Sequence, residues 1–535
     1  MEHSVSCGEA LVDLLCAYGF DTVFGIPGTH AVELYRGLEN NRLRHILTRH
    51  EQGAAFMADG YARASGKPGL CFLITGPGLV NAATAMAQAY SDSVPILVVT
   101  PVNETWSLGK CYGRLHEMNN QLDITRPITG VCGTAMTVDE LPNLIADAMN
   151  QFSSERPRPA HVQIPLDVFV KPVETRWIPR QLDSRRQPDQ RSIDRAVKLL
   201  GEARFPLIIA GGGARHCGQE LRQLAEVLNA PVVTSIRAKG VLPGSHSLCV
   251  GSSLSLPETQ AFVAEADVVL TLGCDLGQTD LWNDDFHITG THIRVDIDVQ
   301  ELSDDHAGDL AIQADAAQSV KLMLAGMNKA TDSDLFAERS RRVKELQHDL
   351  LVSLTPKQKA HMRCLEQVRA VLPEDGLFVG DMTQIVYTAN RFLRFEQPGC
   401  YLQPTGFGSL GYALPAALGA KVAQPDRVVV AMAGDYGVMF SVQEMLTATE
   451  NDIHIVLLVW NNSGLSQIRD DMESLGVKPT GVSVTGPDFI KMAESFGWAA
   501  HRVQDPETLR DTLAKVIGAP KSTLIEIDEA SFLVD

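Results

Sequence analysis

Apolar residues along this chain gather in short, β-branched runs separated by longer stretches of helical spacing. Runs at residues 70–75, 96–99, 206–210, 266–272, 427–433 and 455–459 are four to seven residues long, and four of the six lead directly into a glycine: Gly76, Gly211, Gly273 and Gly434. Strand-length runs alternating with helix-length segments predict βα units in parallel sheets, with helices on both faces. The pattern occurs in three regions. In the first and last, 20 and 21 residues separate the glycine from the next run (Gly76 to Ile96, Gly434 to Ile455), which suggests a duplicated unit. A proline- and arginine-bearing stretch at 171–190 and a charged stretch at 328–357, expected to be helical without a sheet partner, divide the regions. The expected fold class is α/β, with three doubly wound parallel-sheet domains spanning 1–171, 190–328 and 357–535.

Composition narrows the function. Against 65 Asp and Glu stand 46 Lys and Arg, a formal charge of −19 that repels phosphate backbones and anionic membranes, so neither nucleic acid nor membrane is expected as a partner. Ten cysteines without a C-x-x-C pair suggest neither a zinc ribbon nor a disulfide framework. Residues 1–7 lack the basic and apolar regions of a secretory signal, and no apolar run reaches membrane-spanning length; a cytoplasmic enzyme is expected.

The most informative spacing follows the run at 427–433. Gly434-Asp435 is followed, after 25 residues, by Asn461-Asn462 at the end of the next predicted strand. A glycine leaving a strand lets main-chain N–H groups approach a diphosphate closely. An aspartate and an asparagine at the ends of adjacent strands can supply two oxygen ligands to Mg²⁺, at the edge where open α/β sheets bind ligands. Either half alone reads as a turn or a helix cap. Both halves at this spacing read as a metal and diphosphate site.

This spacing, together with the longer stretches at 24–28, 49–63, 76–81, 159–167 and 408–417, resembles the thiamin-diphosphate-dependent family of acetohydroxyacid synthases and 2-oxo acid decarboxylases. The family's metal motif is G-D-G followed at this distance by N-N; the departure is Tyr436 in place of the third glycine. The resemblance implies a pyrimidine-binding, a central and a diphosphate-binding domain, with thiamin diphosphate and Mg²⁺ as cofactors. Asp435, Asn462 and the Gly464 carbonyl would hold the metal. Gly434, Met382 and Thr383 would address the diphosphate, and Gly28, Gly76, Asn81 and Gly408 the rest of the cofactor, with Leu410 wedged beneath it. Glu51 matches the glutamate that shares a proton with the cofactor's pyrimidine, which favours a carboxyl in an apolar setting such as Ala54, Ala55, Phe56 and Met57 provide. In the family that glutamate reaches a cofactor held by another subunit, so a homodimer or homotetramer is implied.

Substrate residues follow on the same footing. His30, on the glycine-rich turn, and His116 are candidates for proton transfer near neutral pH, while His50 reads as structural. Gln467, Asp470 and Asp471 follow the metal motif where the family lines its substrate pocket, and the two aspartates suit a cationic tail. Stretches 26–38, 115–117 and 380–384 look most like the branch that decarboxylates 5-guanidino-2-oxopentanoate to an aldehyde and CO₂. The alternatives are acetolactate synthase-like carboligation of pyruvate, against which His116 and Asp471 count, or a related lyase. The segment at 249–253 departs from the one that accompanies FAD, so FAD is doubtful. A dinucleotide site on Gly211, Gly212, Gly213 and Asp298 is the reading from another class, and it lacks the G-x-G-x-x-G spacing.

Overall fold

The computed structural model describes residues 5–39, 43–327 and 331–533; the first four residues and the expected boundary at residue 328 lie outside the described residues. All six apolar runs are strands, each buried because helices cover both faces of the sheets. Their ends shift by a few residues: the run at 70–75 stops at Phe72, where the chain turns toward Gly76, whereas the run at 96–99 continues to Val102.

Three six-stranded sheets follow one another, every neighbouring pair parallel. The first holds β1 (Thr22–Gly25), β2 (Arg44–Leu47), β3 (Gly69–Phe72), β4 (Ile96–Val102), β5 (Val131–Thr134) and β6 (Ala160–Pro165), in the order β2-β1-β3-β4-β6-β5. The central sheet holds β7 (Pro206–Ala210), β8 (Val232–Thr234), β9 (Cys249–Gly251), β10 (Val268–Leu272), β11 (Thr291–Asp296) and β12 (Leu310–Gln313), ordered β9-β8-β7-β10-β11-β12. The last holds β13 (Leu377–Gly380), β14 (Tyr401–Leu402), β15 (Val429–Gly434), β16 (Val456–Asn461), β17 (Ala499–Val503) and β18 (Thr523–Asp528), ordered β14-β13-β15-β16-β18-β17. The first and last sheets thus share one strand order and the central sheet has another, as a duplicated unit around an inserted domain would. Order reverses between β1 and β3, between β7 and β10, and between β13 and β15, the switch points where open sheets bind ligands.

Eight helices matter below: α1 (Glu51–Ser65), α2 (Pro77–Ser91), α3 (Ser333–Val352), α4 (Pro356–Val371), α5 (Gln384–Phe392), α6 (Ala413–Ala423), α7 (Glu444–Glu450) and α8 (Ser466–Ser474). Most of the charged stretch between the second and third domains is α3, which joins no sheet and packs Val343, Leu346 and Leu350 onto the central core.

The first and last domains are joined where α1 crosses α6, inside a single apolar core. A Cβ at Gly60 would strike the Ala416 carbonyl, and one at Gly419 the Met57 carbonyl, so the two backbones touch. Beneath the crossing, Arg63 pairs with Asp59 (2.6 Å) and Asp92 (2.7 Å), and the Tyr412 hydroxyl donates to Asp59 (2.6 Å). Asp92 also accepts from the Thr405 hydroxyl (2.7 Å) and the Gly406 N–H (2.8 Å), and Gln88 accepts from the Ser409 N–H (3.1 Å). Arg63→Leu would strand two buried carboxylates. We expect it to cost about 3–5 kcal/mol, the range for breaking a buried ion pair from one side, read as a lower urea midpoint.

Candidate active site

The C-terminal group of predicted site residues gathers at the ends of β13, β15 and β16. Asp381, just past β13, is fully buried and accepts main-chain N–H groups from Met382 (2.8 Å), Gly411 (3.1 Å) and Ala413 (3.0 Å). Burial lifts its carboxyl to about 6, and those N–H groups hold it back from rising further. One side chain therefore fixes both the turn carrying Met382 and Thr383 and the loop carrying Gly408 and Leu410. Thr383 faces Gly434, where a Cβ would sit 3.2 Å from its hydroxyl, so the absent side chain leaves a bare main-chain cradle.

Asp435 follows β15 and Asn462 follows β16, on neighbouring strands. The Asp435 carboxylate is 4% exposed, accepts the Gly464 N–H at 3.2 Å, and forms no ion pair among the described residues. Burial raises its pKa. The Asn462 Oδ1 atom is buried without a hydrogen-bond partner. A desolvated carboxylate beside an orphaned amide oxygen, with main-chain carbonyls at hand, is an oxygen donor set suited to a hard divalent cation such as Mg²⁺. Tyr436 has φ −79° and ψ −45°, ordinary right-handed values that demand no glycine, and its ring packs edge-on against Phe440 at 5.5 Å.

The N-terminal group gathers at the β1/β3 switch point. Glu51 is the first residue of α1, whose cap is His50: its Nδ1 accepts the Gln52 N–H at 3.1 Å, a structural role. The Glu51 carboxylate accepts from the Asn81 amide at 2.9 Å and lies beside Gly78, whose Cβ would stand 3.3 Å from Oε1. Gly28 and Gly76 close the turns beyond β1 and β3. A Cβ at Gly76 (φ +69°) would sit 2.8 Å from the His116 carbonyl. His30 and His116, far apart in sequence, meet edge-to-face with ring centroids 5.1 Å apart, and the Nδ1 of each is buried without a partner. Burial, then the neighbouring His116, lowers the His30 pKa. His116 itself has φ +59°, a left-handed conformation that costs a side-chain-bearing residue energy.

Gln467, Asp470 and Asp471 lie on α8. The Gln384 amide donates to Asp470 (2.8 Å) and Gln467 (3.1 Å), and Lys357 approaches Asp470 at 3.5 Å. Asp471 accepts from Gln467 through one oxygen (2.9 Å). A cavity of about 560 Å³ opens here, lined by Met382, Gln384, Gln467, Asp471, Lys357 and the central domain's Trp282; Asp470 is not on its wall. Among the described residues, no hydrogen bond or ring contact links Glu51, His30 or His116 to this C-terminal set.

Sequence reasoning missed several contributors. Gln121 is buried and holds the Thr75 hydroxyl (2.7 Å) and the Gly76 N–H (2.9 Å), fixing that turn from a residue with no local motif. Trp282 comes from another domain, so nothing in its own neighbourhood marks it. Asp298, the alternative dinucleotide carboxylate, lies 3.8 Å from Arg156, and a Cβ on Gly213 would stand 2.9 Å from Gly273.

Comparison with known proteins identifies the domains. Residues 5–125, 193–323 and 381–527 match, respectively, the N-terminal TPP-binding domain, the central domain and the C-terminal TPP-binding domain of thiamine pyrophosphate enzymes. The chain is 44% identical over 534 residues (99% of this chain, 95% of the relative) to a Pseudomonas aeruginosa protein named "Probable 2-ketoarginine decarboxylase AruI". It is 31% identical to the "Probable acetolactate synthase large subunit" of Methanocaldococcus jannaschii (97% and 91% covered). It is 30% identical to the acetolactate synthase isozyme 1 large subunit of Escherichia coli (97% and 93%). A carboxylate and an amide oxygen waiting on adjacent strands, a bare glycine cradle and three matching domains in order leave one assignment: the chain belongs to the thiamine pyrophosphate enzyme family.

Proposed function

We propose that this enzyme decarboxylates 5-guanidino-2-oxopentanoate (2-ketoarginine) non-oxidatively, releasing CO₂ and an aldehyde. The observation that carries the substrate choice is the cavity wall at α8. Asp470 is occupied by Gln384 and Lys357, whereas Asp471 faces the cavity with one carboxylate oxygen outside its bond to Gln467. An anionic oxygen in a partly enclosed cavity suits a guanidinium tail. The name of the 44% identical relative points the same way.

When bound, thiamin diphosphate would supply the nucleophilic carbon and the electron sink that a 2-oxo acid needs to lose CO₂. Asp435, the Asn462 amide oxygen and the Gly464 carbonyl would hold Mg²⁺. Gly434, Met382 and Thr383 would receive the diphosphate, Gly28, Gly76 and Gly408 the remaining cofactor edges, and Leu410 would pack against it. Glu51 shares a proton with the pyrimidine, its carboxylate kept in place by Asn81. His30 and His116 hold and deliver the proton that completes the aldehyde; burial keeps His30 a weak base and so a ready donor once protonated.

A second copy of the chain completes each site. Exposed apolar side chains beside each half support this: Val80 next to Asn81, and Met439 and Phe440 after Asp435. We take the three units to span 1–171, 190–328 and 357–535 and the protein to work in the cytoplasm.

CO₂ release with Mg²⁺ and thiamin diphosphate tests the reading directly. The guanidino acid should be preferred to pyruvate, and acetolactate formed from pyruvate would move the enzyme to the synthase reaction instead. Asp471→Leu should raise KM for the guanidino acid about 10-fold or more while leaving pyruvate little changed, the scale of a charge-assisted hydrogen bond. Glu51→Gln should cut kcat by about 100-fold or more with cofactor affinity, followed by fluorescence titration, nearly unchanged.

A further inference from the structure

A second carboxyl group serves the turn that carries Glu51. Glu444, the first residue of α7, is 0% exposed, and among the described residues no cation bonds to it; the guanidinium of nearby Arg49 is engaged by Glu450 at 2.7 Å. Both Glu444 oxygens lie 3.2 Å from the Arg49 N–H, and Oε2 accepts the Thr447 hydroxyl at 2.7 Å. On the other side, a Cβ at Gly53 would collide with Oε1, so a glycine at this position makes room for the carboxyl. The group thus lies across residues 49 to 53, bonded to the main chain just before the His50 cap and pressed against the first turn of the helix at Gly53.

We propose that Glu444 is a positioning residue for Glu51: it clamps the entry to α1 from the C-terminal domain and thereby aims the Glu51 carboxyl. Such a clamp must be buried and must accept from the main chain, and Glu444 does both. Surface helix caps tolerate exchange. Here, the bonded N–H is two residues from the reacting carboxyl, and an ångström of drift at a reacting group costs about 100-fold in rate. Burial raises the Glu444 pKa to about 7, so the folded protein binds this proton more tightly than the unfolded chain. Its contribution to stability is therefore full below the ordinary glutamate range and is lost as pH rises through about 7.

The test is a double-mutant cycle on the holoenzyme. Glu444→Gln replaces one accepting oxygen with a donor and should lower kcat by about 100-fold while KM stays within about twofold. In a Glu51→Gln background the same change should alter kcat by less than about twofold, because the residue it aims is already gone. Gly53→Ala presses on the same carboxyl from α1 while raising helix propensity. It should reproduce the kcat loss and the non-additivity, and it serves if Glu444→Gln does not fold. Wild-type kcat in both single variants would overturn the proposal, as would an equal loss in the wild-type and Glu51→Gln backgrounds.

Discussion

The crossing of α1 and α6 is the constraint on which the rest of the molecule depends. Two glycines let the helices meet backbone to backbone, and this contact brings the first and last sheets into one continuous core. So close an approach seals whatever polar groups lie beneath it, and those groups must then satisfy one another. Arg63, Asp59, Asp92 and Tyr412 do so. The network does not stop at the seal: Asp92 and Gln88 reach on to Thr405, Gly406 and Ser409, the approach to the loop that carries Gly408 and Leu410. The shape of a C-terminal loop is therefore set from the N-terminal domain.

The same device recurs wherever a site loop must be held still. Asp381, Asp435 and Glu444 are buried carboxyl groups with no bonded cation among the described residues, each accepting from the main chain, and each has its pKa raised by burial. The arrangement trades charge solvation for rigidity. Asp435 alone among them stands beside an orphaned amide oxygen, that of Asn462, and that difference separates a metal-ready site from a structural clamp.

Much of this was legible in the sequence. Strand-length apolar runs marked all three sheets, because burial on both faces leaves little room for polar residues. The glycines at 76, 211, 273 and 434 fall at the switch points, where backbone must approach backbone or ligand. Strand order within each sheet was not legible, since parallel neighbours are chosen by long connections. His30 and His116 could be suspected singly, but their meeting is a product of the fold. Asp470 and Asp471 looked equivalent as adjacent letters; helix geometry turns them about 100° apart, so that Asp471 lines the cavity and Asp470 does not, its carboxylate instead held by Lys357 and Gln384. Trp282, Gln121 and Glu444 act across domain or strand boundaries and left no local signal.

The unremarkable backbone of Tyr436 shows what the letters of the metal motif encode. Its first glycine leaves room, because a Cβ there would press on Thr383 at 3.2 Å. The third position obeys no comparable geometric rule, and a phenol turned against Phe440 fills it. A pattern that insists on G-D-G would therefore pass over chains of this kind. A description in terms of two oxygen donors on adjacent parallel strands, preceded by one bare residue, would retain them.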